Sequence, residues 1–78
     1  MAVRAYVLIQ LETGRAAGVS QHLSAIDGVV SAHDVTGPYD VIVLAEAESI
    51  DGLGHLVVGR IQLIEGITRT VTCTIVEI

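Results

Sequence analysis

The chain has 78 residues, 51% of them hydrophobic, and a mean hydropathy of +0.67. A chain of this length buries only about 60% of the surface that it exposes when unfolded, so one small core leaves apolar side chains over. Four arginines, no lysine and nine acidic residues give a formal net charge of −5, which argues against binding a phosphate backbone and excludes lysine-dependent phosphate loops and Schiff-base chemistry.

The single cysteine, Cys73, excludes an internal disulfide framework. Oligomerisation is then the expected supplement to a small core. The longest apolar runs, such as Val41 to Ala45, span five residues, far below the roughly 18 needed to cross a bilayer. The opening "MAVRAYVLIQLETG" has no long apolar core with a small-residue cleavage site, so the expected location is the cytoplasm. Residues 1–78 read as one domain, with no linker, repeat or low-complexity segment.

In chain order, Val3 to Leu11 alternates, with Val3, Ala5, Val7, Ile9 and Leu11 on one face and Arg4, Tyr6, Leu8 and Gln10 on the other. This predicts a first strand. Thr13 is the expected cap of a first helix whose Ala16, Val19, Leu23 and Ile26 recur at helical spacing until Asp27-Gly28 stops it. Val29 to Thr36 and Tyr39 to Ala47 read as two strands of a hairpin turned at Gly37-Pro38. Ser49, followed by Asp51, opens a second helix with an apolar stripe of Ile50, Leu53, Val57, Ile61 and Ile64, ended by Gly66. Ile67 to Ile78 reads as the last strand. Its Val71, Cys73 and Ile75 are expected to face the helices, leaving Thr68, Thr70, Thr72 and Thr74 as a hydroxyl stripe on the bare face.

The order βαββαβ, with two helical crossovers and one direct hairpin, predicts an α+β ferredoxin-like sandwich with an antiparallel sheet in the order 4-1-3-2. One sheet face lacks helices, and its mixture of Leu8 with Tyr6, Gln10 and the threonines suits a partner sheet.

Three stretches, "IDGVV" after the first helix, "VTGPYDVIV" across the hairpin and "IEGITRTVTCTIV" into the last strand, resemble the effector-binding module of the Lrp/AsnC regulators over essentially the whole chain. The resemblance implies a dimeric alpha-beta barrel assembly through face-to-face sheets, further assembly into rings, and free amino acids bound between dimers. In the larger regulators a helix-turn-helix domain precedes this module, and a stand-alone form without it is expected here, since the sequence opens directly on the first strand. Direct nucleic-acid binding is not expected, and neither is a cofactor or a membrane. A full-length regulator of the family is a candidate partner.

A hairpin needs only Gly37 and Pro38 to turn, so Tyr39 and Asp40 are surplus. A free amino acid is a zwitterion. Backbone N–H groups near Gly37 and Tyr39 can answer its carboxylate, Asp40 its ammonium, and Tyr39 can wall its side chain. The resemblance adds Thr70 and Thr72 as ligand contacts. The candidate ligand-binding residues are therefore Gly37, Pro38, Tyr39, Asp40, Thr70 and Thr72, with no catalytic or metal residue. Plainer readings stand beside these roles: Gly37 and Pro38 as turn formers, Asp40 as an acceptor for backbone amides, Tyr39 as interface packing and the threonines as ordinary strand residues.

His22, His33 and His55 fall on three elements without metal-ligand spacing. Gly52-Leu53-Gly54 lacks the third glycine of a dinucleotide fingerprint, with Val57 in its place. Cys73 is expected to be a small core residue. A small α+β barrel enzyme of the monooxygenase kind and a purely architectural oligomerisation partner remain as alternative functions.

Overall fold

In the computed structural model, residues 2–14 and 17–76 are described. Alternation in the first strand, β1 (Val3–Leu11), puts Ala5, Val7 and Ile9 in the core with no exposed surface, as expected. The third strand, β3 (Val41–Ala47), repeats the pattern with Val41, Val43 and Ala45. The two pair antiparallel from Val3↔Ala47 to Ile9↔Val41 without a break. Burying a valine, leucine or isoleucine side chain contributes about 1.5–3 kcal/mol, so this pair is the centre of the fold.

The second strand, β2 (Val29–Asp34), lies outside β3, and the last, β4 (Ile67–Thr74), outside β1. The order β2-β3-β1-β4 is 4-1-3-2 read from the other edge, with every neighbouring pair antiparallel. With α1 (Val19–Ser24) packed on β2 and α2 (Ile50–Leu56) on β3 and β1, the βαββαβ chain forms the expected ferredoxin-like sandwich.

Element ends differ from the expectation. Gly14 and Gly18 take left-handed backbone (φ 85° and 81°), so the chain turns before α1, whose N-cap is Gly18 with no side-chain cap. Thr13 therefore does not cap α1, and Ala16 lies outside the described residues. Ser49 does cap α2, its Oγ accepting from the Gly52 N–H at 3.0 Å. Beyond Leu56 the helix widens into a π-helical segment, Val57–Ile61, in which the Gln62 N–H donates to the Val57 carbonyl at 2.8 Å. Leu53, Leu56, Val57 and Ile61 are buried, whereas Ile50, expected in the stripe, is 62% exposed.

The largest correction falls on β4. Leu11 pairs with Ile67 but Gln10 pairs with Arg69, which leaves Thr68 as a bulge whose hydroxyl donates to the Gln10 carbonyl at 3.3 Å. One extra residue reverses the facing of everything after it. Directly opposed partners share a face, so Thr70 (with Ile9), Thr72 (with Val7) and Thr74 (with Ala5) lie on the helix side. Val71 (with Leu8) and Cys73 (with Tyr6) lie on the bare side, and Cys73 is exposed rather than in the core. The bulge thus sorts the apolar residues of β4, with Ile67 packing against the core and Val71 and Cys73 pointing away from it.

Candidate ligand site: the hairpin turn and the groove beside α2

The connection between β2 and β3 is longer than a two-residue turn, running over residues 35–40. Gly37 has φ 122°, a conformation that glycine adopts freely, and Pro38 follows it. The loop is closed by the Val35 N–H donating to the Asp40 carbonyl at 3.0 Å and pinned to β1 by the Asp40 N–H donating to the Ile9 carbonyl at 2.8 Å. Asp40 Oδ2 also accepts the Leu11 N–H at 2.8 Å, and Gln10 Nε2 donates to the Pro38 carbonyl at 2.9 Å. Asp40 thus continues the β1–β3 ladder past its last residue pair, holding the loop against Gln10 and Leu11. The contact with β1 is long-range, which distinguishes it from a local Asx turn. Asp40 itself is exposed. Tyr39 is half-buried.

Thr70 and Thr72 sit elsewhere. They lie on β4, with the whole of β1 between them and the β3 end of the loop, a separation of about two strand spacings or 10 Å. Within one subunit the loop and the threonines form two separate surfaces.

The threonines belong to a groove of about 330 Å³. It forms because α2 packs over β3 and β1, leaving the helix-side face of the edge strand β4 only partly covered. Thr70, Thr72 and Thr74 make its floor, and Ile50, Leu53, Val57 and Val58 make the apolar wall. Gly54 opens the wall, and Gln62 closes one end by donating from Nε2 to Thr70 Oγ1 at 2.8 Å. No charged side chain lines the groove. Sequence reasoning missed Gly54, Val58, Gln62 and Thr74. The signal was there in Ile50, Gly54 and Val58 at i, i+4 and i+8, an outward-facing stripe beside the inward one.

Among the described residues, no group of three or more histidine, cysteine, aspartate or glutamate side chains is placed to hold a metal ion. No described helix is long and apolar enough to cross a membrane.

Fold and site together define a ferredoxin-like domain with a covered face, a bare face and an uncharged groove at its edge. The chain belongs to the Lrp/AsnC ligand binding domain family, whose model matches residues 4–78. Regulatory protein AsnC of Escherichia coli K12 is 33% identical over 55 residues, which make up 70% of this chain and 36% of that protein's length. The structure of E. coli AsnC superposes at a TM-score of 0.88 with 28% identity, covering 96% of this chain and 51% of that one. TTHA0845 from Thermus thermophilus is similar along nearly its whole length, with a TM-score of 0.90, 28% identity, and coverage of 97% and 95%. The transcriptional regulator NMB0573 of Neisseria meningitidis, solved in complex with L-Met, shares the fold at a TM-score of 0.83 and 14% identity over 96% of this chain and 50% of that one. The family is regulatory.

Proposed function

We propose that residues 1–78 act as one non-enzymatic effector module in the cytoplasm, binding a free amino acid and assembling with copies of itself. Dimers form by apposition of the bare sheet faces and associate further. The hairpin loop of one subunit (Gly37, Pro38, Tyr39, Asp40) then meets the threonine pair (Thr70, Thr72) of another, with Asp40 Oδ1 answering the ligand ammonium and the Gly37 backbone its carboxylate. Co-assembly with a full-length Lrp/AsnC regulator would carry the signal to DNA.

The observation that carries this reading is the division of the candidate residues between two open surfaces of a chain belonging to a ligand-binding family. A zwitterion needs donors and acceptors on opposite sides, and a second subunit can bring them together. The half-exposed apolar side chains of the bare face supply an adhesive surface for that subunit. A ligand that binds only the native assembly raises its melting temperature. Thermal-shift measurements with each of the twenty amino acids, together with mass by light scattering, are the test. The expected result is an oligomer stabilised by a subset of amino acids. An oligomer indifferent to all of them would leave only an architectural role, and a stable 8.2 kDa monomer would remove that as well.

A further inference from the structure

Regular pairing of β1 stops at the same place on both of its sides. Against β3 the last pair is Ile9↔Val41, and against β4 the register shifts between Gln10 and Leu11. Backbone groups at such a break lose their ladder partners. Here side chains take their place. The Gln10 carbonyl accepts from Thr68 Oγ1 at 3.3 Å, and the Leu11 N–H donates to Asp40 Oδ2 at 2.8 Å. That carbonyl and that N–H are the two ends of one peptide group.

The peptide between Gln10 and Leu11 is therefore held by the β4 bulge on one side and by the hairpin loop on the other. A peptide group is planar and rigid, so a tilt that lengthens one of its hydrogen bonds changes the other. Polarisation along such a chain strengthens each bond by only about 10–30%, so the link acts mainly through position. The Gln10 side chain braces the same loop, donating from Nε2 to the Pro38 carbonyl at 2.9 Å. Asp40 and Thr68 stand on opposite sides of β1, about two strand spacings or 10 Å apart. Substitutions at that distance act independently unless the residues share a partner, and these two share one.

We propose that Asp40 and Thr68 are coupled through the Gln10–Leu11 peptide, which makes Thr68 a positioning residue for the hairpin loop and Asp40 a positioning residue for β4 beyond the bulge. The functional meaning rests on the amino-acid reading above, in which the loop of a subunit serves one ligand position and its threonines another. A ligand ammonium drawing on the Asp40 carboxylate then loosens the peptide, and the change reaches Thr70 and Thr72 across the strand. Neighbouring ligand positions of the assembly communicate through each subunit by this route.

Amide hydrogen exchange of the full chain, read residue by residue by NMR without added ligand, tests the coupling separately from the amino-acid reading. Protection is compared with that of the Val7 amide in the middle of β1, which corrects for changes in overall stability. Thr68→Val keeps the shape and removes the hydroxyl, and Asp40→Ala removes the acceptor. Both positions are exposed, so neither change empties the core. Thr68→Val should lower protection of the Leu11 amide at least threefold relative to Val7, and Thr68→Ser, which keeps a hydroxyl, should hold it within twofold of wild type. Asp40→Ala should lower protection of the Arg69 amide, paired with Gln10 beside the bulge, at least threefold on the same scale. Both directions are required, because coupling between two sites is reciprocal. If Thr68→Val leaves Leu11 unchanged, if Thr68→Ser lowers it as much as Thr68→Val does, or if Asp40→Ala leaves Arg69 unchanged, the coupling is overturned, and amino-acid binding stands or falls by the thermal-shift test alone.

Discussion

The two faces of one sheet are built from neighbouring residues of the same strands, yet they end in opposite states. On the helix side Val7, Ile9, Val41 and Val43 are completely buried, whereas on the other side Tyr6 is 46% exposed and Leu8, Ile42, Leu44 and Val71 are half-buried. In many antiparallel sheets the solvent face is polar, and alternation separates the two kinds of residue cleanly. Here β1 and β3 are apolar on both faces, so the strands carry more hydrophobic surface than two short helices cover. The β4 bulge enlarges the difference, because it turns three threonines toward the helices and sends Val71 and Cys73 outward. The bare face is therefore partly exposed and largely apolar, and the helix-side edge carries an uncharged groove.

Adjacent residues on opposite faces make the sharpest test of this contrast. Ile9→Ala should cost about 2–5 kcal/mol in chemical denaturation, the usual range for truncating a fully buried aliphatic side chain. Leu8→Asp, one position away, should instead act on assembly, weakening self-association at least tenfold by sedimentation, which corresponds to about 1.4 kcal/mol or more. Equal losses of intrinsic stability, with assembly untouched, would erase the distinction between the faces.

Cys73 reports the same contrast chemically. Exposed in the subunit beside Tyr6, it should, if the bare faces pair as proposed, react with a thiol reagent severalfold faster in the Leu8→Asp variant than in wild type. Equal reaction rates in the dissociated, folded variant and in wild type would show that Cys73 is not covered by a second bare face.

Smaller effects distinguish the hairpin loop from the helix. Asp40→Ala removes the acceptor for the Leu11 N–H and should lower stability by about 1 kcal/mol, given the exposure of the site. Asp40→Asn keeps an acceptor oxygen and should be nearly neutral for folding, so any loss of amino-acid affinity in this variant belongs to the lost charge. At Gly54 the change should have the opposite sign: Gly54→Ala should raise stability by about 0.4–1 kcal/mol in thermal or chemical denaturation, since its Cβ meets nothing.

Much of the molecule was legible from local pattern. Alternation located β1 and its inward face, Ser49 marked the start of α2, and the order of elements led to the sheet order, because each rests on chemistry within a few residues of itself. Ala5, Val7 and Ile9 alternate along a continuous strand with no bulge against β3, so simple parity held. Membership of the Lrp/AsnC ligand binding domain family was visible in the same way, through the hairpin and last-strand motifs.

What only the tertiary structure decided depends on partners distant in sequence. Thr68 becomes a bulge because Leu11 and Gln10, far earlier in the chain, pair on either side of it, and nothing within β4 itself announces the skipped pairing. That single residue moved the threonine row from the bare face to the groove, where Gln62 and Gly54 give it a chemical setting. Asp40 likewise reads locally as a turn residue, but its carboxylate engages Leu11 on another strand. Side-chain facing in a strand is a running parity, so one long-range register shift inverts every residue after it, and no local propensity records the shift.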